Sequence, residues 1–135
     1  MKHRILGILT TTTLALLVPL SAQTIARVTV PFDFTVGQTQ MSAGTYEVSP
    51  LAHGAIVIRD SKAAKSVLSV VRSEQTRDRD SGARLVFSKY GDKYFLSQVS
   101  SGFGGGVMQL PTSKLEKELR IASSGVPHKI VVAAK

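Results

Sequence analysis

Apolar residues in this chain recur mostly at every second position, the spacing expected of strands with one buried face. Val28, Val30, Phe32 and Phe34 share one parity, and Thr29 and Asp33 fall on the other. Pro31 sits inside that run and cannot donate to a ladder, so the strand is expected at an edge or bulged there. Residues 36–43 are polar and end in Ser42-Ala43-Gly44, a turn signal. Residues 45–51 read as a strand with Tyr46 and Val48 on one face. His53-Gly54 breaks it, and residues 55–59 follow as a short strand rich in Ile and Val. Residues 60–65 are a polar turn, residues 66–72 a further β-branched run, and residues 73–82 a solvated loop around Arg77-Asp78-Arg79-Asp80. Residues 84–90 and 94–100 form the clearest hairpin, joined by Gly91-Asp92-Lys93, where Gly and Asp tolerate the positive φ of tight turns.

One segment departs from period two. After the loop at 101–106 and Pro111-Thr112, Ser113 and Glu116 have the spacing of a capping box. Leu115, Leu119 and Ala122 follow at i, i+4 and i+7 as a narrow apolar stripe, and Gly125 and Pro127 end the helix. Residues 129–134 return as a last strand through Ile130, Val131 and Val132. Six or seven short strands at near-regular spacing predict a mainly β domain. The expected architecture is a small antiparallel sandwich or barrel, with one short C-terminal helix on or capping the sheet.

The N-terminus follows a third pattern. Lys2, His3 and Arg4 precede an uncharged apolar run over residues 5–20, and Pro19 comes just before the small-residue stretch Leu20-Ser21-Ala22. This is the three-part plan of a secretory signal peptide, with cleavage between Ala22 and Gln23 or, alternatively, after Ala26. The run is shorter than the roughly 18–20 apolar residues a spanning helix needs. A single β-rich domain over residues 23–135, exported to the periplasm or beyond and without a membrane span after cleavage, is therefore expected. Such a chain buries about two-thirds of its unfolded surface, enough for a core without covalent staples.

Composition narrows the chemistry. The absence of cysteine among 135 residues excludes a disulfide framework, thiolate metal sites and a cysteine nucleophile. An apolar fraction of 43% excludes a disordered chain. Seventeen basic against nine acidic groups give +8, which falls to +6 when Lys2 and Arg4 leave with the leader.

Three blocks carry a resemblance. They are Val30-Pro31-Phe32-Asp33-Phe34 with Ala43-Gly44-Thr45-Tyr46; Tyr90-Gly91-Asp92 with Tyr94-Phe95-Leu96-Ser97; and Leu110-Pro111 with Ser113-Lys114 and Glu116. In this order the chain resembles a family of small, uncharacterised exported bacterial proteins. The resemblance implies a secreted, mostly β domain with a late helix, and it implies no activity and no functional residues.

Candidate catalytic groups do not form a constellation. His53 adjoins a turn glycine, His128 follows a proline, and no nucleophile-elbow motif surrounds any serine. No spacing among Asp33, Glu47, Asp60 and Asp92 selects a pair of acids for glycoside chemistry. Residues 78–82 imitate a calcium loop, but Gly82, Ala83 and Lys89 stand where ligands or the turn glycine belong. The glycines at 102–106 lack the Gly-Lys-Ser/Thr of a phosphate loop. No cofactor or metal is expected.

The basic groups are more informative. Arg84, Lys89 and Lys93 lie beside Tyr90 and Tyr94, a candidate binding surface that pairs cations with aromatic faces. For an exported chain an anionic envelope polymer, or another envelope protein, is a more accessible partner than nucleic acid. The competing account has the tyrosines packing across the hairpin while the charge serves solubility. The leading expectation is a non-catalytic interaction or structural module at the cell envelope, in contact through surface recognition or a sheet edge near Pro31. The alternative is a barrel that binds an apolar or sugar-like molecule, with residues 102–106 at its mouth. An enzyme using His53 or His128 comes third.

Overall fold

The alternation written into the sequence becomes eleven strands and one helix in the computed structural model, which describes residues 23–75, 82–102 and 106–135. The expected leader through Ala22, the calcium-like positions at 78–80 and the centre of the glycine loop lie outside the described residues; Gln23 is the first within them. In β1 (Ala26–Val30) the apolar parity is buried while Arg27 and Thr29 face out. The chain breaks at Pro31, then β2 (Phe34–Val36) and β3 (Thr39–Met41) form a hairpin about Gly37, whose φ is +61°. Residues 36–43 are thus not one polar connection. Phe34, Val36 and Met41 are buried, and the polar residues between them alternate outwards or occupy the turn.

β4 (Gly44–Leu51), β5 (Ala55–Asp60) and β6 (Ser66–Val70) continue in antiparallel order, and β1 pairs on the outer side of β4. The resulting small sheet runs β1-β4-β5-β6. Beyond Val71, β7 (Arg72–Glu74) belongs to a second, larger sheet of order β11-β8-β9-β10-β7. Its other members are β8 (Arg84–Tyr90), β9 (Lys93–Ser100), β10 (Val107–Gln109) and β11 (His128–Ala133). β2 joins β9 in parallel through Thr35 and Phe95, so the larger sheet is mixed. Strands β7 and β10 leave little trace in the sequence because each has three residues. Their ladder is supported by the Gln109 amide donating to the Glu74 carboxylate at 2.7 Å.

The two sheets meet at two corners. At one, the chain itself passes from β6 to β7 through Val71. At the other, the Ala134 amide donates to the Ala83 carbonyl at 2.8 Å, prolonging the β11–β8 ladder, and the Lys135 amide crosses to the Arg27 carbonyl of β1 at 3.3 Å. The arrangement is a curled, barrel-like sandwich with its core between the sheets. Rings set its centre. Phe87 meets Phe32 and Phe34 edge-on at 5.1 and 5.2 Å, and Phe34 meets Tyr46 edge-on at 5.1 Å. Val28, Val48, Ile56, Ile58, Leu85 and Val99 fill the space around them and are fully buried. The one polar tip in this cluster is resolved locally, since the Tyr46 hydroxyl donates to the Ser42 carbonyl.

α1 (Lys114–Ala122) starts as the capping pattern requires: the Ser113 hydroxyl accepts the Glu116 amide at 3.1 Å. Its packing differs from the apolar stripe. Leu115 is 47% exposed and Ala122 is exposed, whereas Glu116 is buried. The helix lies on the outer face of the larger sheet, where a tyrosine hydroxyl offers the carboxyl a hydrogen bond that no leucine could use.

Truncating Phe87 removes the ring that three aromatic contacts share or adjoin. Phe87→Ala is expected to cost about 3–5 kcal/mol, read as a lower denaturant midpoint, whereas Tyr46→Phe should cost only about 0.5–1.5 kcal/mol.

Candidate interaction surface

The hairpin that carries the five basic and aromatic candidates turns more tightly than its sequence suggests. Gly91 and Asp92 alone make the turn, with Gly91 at φ +62°, and Lys93 already pairs with Tyr90. A two-residue turn with glycine first suits the twist of the flanking strands. A three-residue link would have set Tyr90 opposite Tyr94. One residue fewer moves Tyr94 beside Lys89 and onto the opposite face, because side chains alternate along a strand.

The five residues therefore do not share one surface. Tyr94 turns to the core side and stacks on Phe32 at 3.9 Å, with the Lys89 ammonium 5.4 Å from its ring centroid. Tyr90 points the other way, is 7% exposed, and packs edge-on against Phe95 beneath α1. Lys93 is exposed at the hairpin tip, and Arg84 lies at the far end of β8, paired with Ser100. Both tyrosines are engaged in packing, Tyr90 across the hairpin on Phe95 and Tyr94 on Phe32 of the β1–β2 link.

Under α1 the outer face of the larger sheet holds a polar cluster. The Tyr90 hydroxyl donates to Glu116 Oε1 at 3.3 Å, and the Lys129 ammonium donates to Ser88 at 2.9 Å and to Ser97 at 3.3 Å. Ser97 is the extra residue of a bulge, since Val86 pairs with Gln98 and Phe87 with Leu96. A cleft of about 170 Å3 remains between these groups, Gln109 and Arg120. Burial pushes the Glu116 carboxyl above the usual carboxylate range; the Tyr90 hydrogen bond, Lys129, Arg120 and the Ser113 cap offset only part of that. Burial also raises the Tyr90 phenol, and the neighbouring Glu116 adds to it.

The less protected surface is on the small sheet. The Val71 amide donates to the Gly54 carbonyl and the Asp60 amide to the Lys65 carbonyl, which fixes the hydrogen-bonded pairs of the β5–β6 ladder. Val67 and Ser69 share that set. Ser66, Leu68 and Val70 consequently direct their N–H and C=O groups away from β5, along a sheet edge that no other described strand pairs with. Their side chains are on the outer face, where Leu68 is 62% and Val70 67% exposed. Register places Val57 beside Leu68, and Ala55 between Leu51 and Val70, so the apolar row extends across three strands. At its Val71 end the edge opens on a cleft of about 490 Å3 between residues 70–72 and residues 109–112.

This edge is not the one expected near Pro31. Proline 31 lies between β1 and β2 rather than inside a strand, and β1 meets the C-terminal Lys135 on the side away from β4. The sequence signal for β6 was available: residues 66–70, Ser-Val-Leu-Ser-Val, contain no charge and no proline, the usual protections of an edge. The two candidate histidines are apart, with His53 exposed in the β4–β5 turn and His128 exposed at the start of β11. Among the described residues no group of three or more His, Asp or Glu could hold a metal ion. No family model, curated protein or solved structure matches the chain.

The Glu116 carboxyl generates a pH prediction. Its folded-state pKa lies above the unfolded value, so the folded state holds its proton more tightly, and stability from this group falls as pH rises through that window. Glu116→Gln should flatten the fall and leave the protein more stable than wild type at neutral pH, as read from denaturant midpoints at steps between pH 4 and 8.

Proposed function

We propose that the chain is a non-catalytic interaction module, exported by its N-terminal leader and acting through protein contact at the cell envelope. The observation that carries this reading is the uncharged edge of β6, unpaired among the described residues, beside an exposed apolar row. Surface apolar residues scattered singly need no explanation, but a contiguous row next to free backbone groups is the chemistry of an association site. The separation of Tyr90 from Tyr94 and of Arg84 from Lys93 favours a protein over an anionic polymer as partner, because these five residues do not form one continuous cationic and aromatic track. The barrel-like interior is occupied by Phe34, Tyr46, Phe87 and their neighbours, so a ligand held between the sheets receives no support.

Affinity capture from envelope extract with residues 23–135 tests the reading. Retention of a protein that persists at high salt is expected, since apolar association and backbone hydrogen bonding are weakly screened. Recovery of a glycan or lipid instead, or of nothing above the bare matrix, overturns it. Export is checked separately: the intact mass of protein from the envelope fraction should begin at Gln23, or at residue 27 for the alternative cut. A full-length mass in the cell interior counts against export.

A further inference from the structure

The edge of β6 also indicates what it would accept. Resting on the interaction-module reading, we propose that β6 takes up an extended peptide segment of another protein as an added strand, and that this segment is apolar at its centre and acidic at both ends. Ser66, Leu68 and Val70 present three N–H donors and three carbonyl acceptors in one row. The Ser69 hydroxyl reaches the Val70 carbonyl at 3.2 Å, a local contact within the strand. Strand addition satisfies such a row with main-chain bonds and takes its specificity from alternate side chains. Residues of the incoming strand opposite Leu68 and Val70 would extend the outer apolar row. Those between them would turn towards the opposite face, with the cleft before Gln109, Leu110 and Pro111 at the end of the edge.

The other edge strands are less suited: β1 carries the Arg27–Glu47 ion pair and meets Lys135, and β11 begins with His128 and Lys129. β3 has three residues including Gln40, and β7 has three with Arg72 and Glu74 at its ends. β6 is longer and carries no charge, so neither shortness nor repulsion blunts it.

Charge selects the occupant. Lys62 and Lys65 precede β6, Arg72 follows it, and Arg59 is beside Ser66 across the ladder. Glu47 is paired with Arg27, while Asp60, bonded to the Lys62 and Ala63 amides, and Glu74, bonded to Gln109, keep their charge, so the four cations outnumber these two acids. Lys65 donates to the Gln40 carbonyl, a neutral group that leaves its charge uncompensated. A second copy would suit the edge poorly. Antiparallel pairing centred on Leu68 sets each Lys65 opposite the other copy's Val71, one residue from its Arg72, in a chain at +6 over residues 23–135. An acid-flanked segment meets cations at both ends.

Proline gives a clean test. The Leu68 amide points away from β5, so Leu68→Pro removes a donor from the free edge without cutting the ladder, as edge positions allow. Leu68→Ala keeps the donor and trims only the side chain, and thermal unfolding verifies that each variant remains folded. The probe is an eight-residue peptide of alternating valine and threonine between paired aspartates, with a lysine-flanked counterpart, titrated by fluorescence anisotropy against residues 23–135. The acidic peptide should bind, the lysine-flanked one about tenfold more weakly at low salt. Leu68→Ala should lose a few-fold and Leu68→Pro all measurable binding. Binding by neither peptide, equal binding by both, or undiminished binding by Leu68→Pro overturns the proposal. So does a dimer in sedimentation that Leu68→Pro dissolves, which would assign the edge to a second copy. Should Leu68→Pro not fold, Val70→Pro makes the same comparison. If envelope capture retains a protein equally well with the proline variant, strand addition fails and the broader reading stands.

Discussion

The contact on which the structure depends is the meeting of rings around Phe87. Two sheets joined by the connection at Val71 and, at the far corner, by the Lys135–Arg27 backbone bond need a third connection through their centre, and there is no cysteine to supply one. Phe34 gives that connection, touching Phe87 of the larger sheet and Tyr46 of the smaller one in edge-on geometry. Such pairs add about 0.5–1.5 kcal/mol each beyond the area they bury. The short β2–β3 hairpin thus acts as a wedge: its ladder is small, but its ring holds both halves.

That solution is asymmetric. The larger sheet is covered on both faces, by the core on one side and by α1, with Tyr90, Phe95 and Glu116, on the other. The smaller sheet has the core on one face only. Its outer face is protected near Arg27 and Glu47 by an ion pair and near Thr29 and Thr45 by a hydroxyl contact, but Leu68 and Val70 have neither. The one helix among the described residues can cover one outer face, and it covers the one that presents a buried hydroxyl for Glu116. The exposed row on β6 is the remainder of that choice.

Parity made much of the fold legible in the sequence. Tyr46 and Val48, Val28 and Val30, and the 84–100 hairpin all follow from alternation, because each lies in a strand long enough for period two to repeat. The helix start was legible in Ser113. What escaped was short or decided by partners. β7 and β10 have three residues each, and a polar triplet such as Arg72-Ser73-Glu74 becomes a strand only because Val107–Gln109 lies beside it. The five candidate residues divide between faces for a smaller reason. Whether Lys93 belongs to the turn or to the strand decides which side of the sheet Tyr94 occupies, and composition alone does not resolve a one-residue difference. Glu116 is a similar case: helical spacing pointed to Leu115, while a hydroxyl from a distant strand selected its neighbour.

The Val71 corner has a kinetic side. β4, β5 and β6 fold back on one another through short links, and so do β8 and β9, so the closure entropy of each group is small. Phe34 and Phe87 are far apart in sequence, and their contact must await the docking of those two groups across the corner. Until docking, the small sheet lacks a cover on either face. The interval between hairpin formation and docking is when unpaired strands are most open to the wrong neighbour. An occupant on β6 during that interval would act as a chaperoning strand as well as a partner.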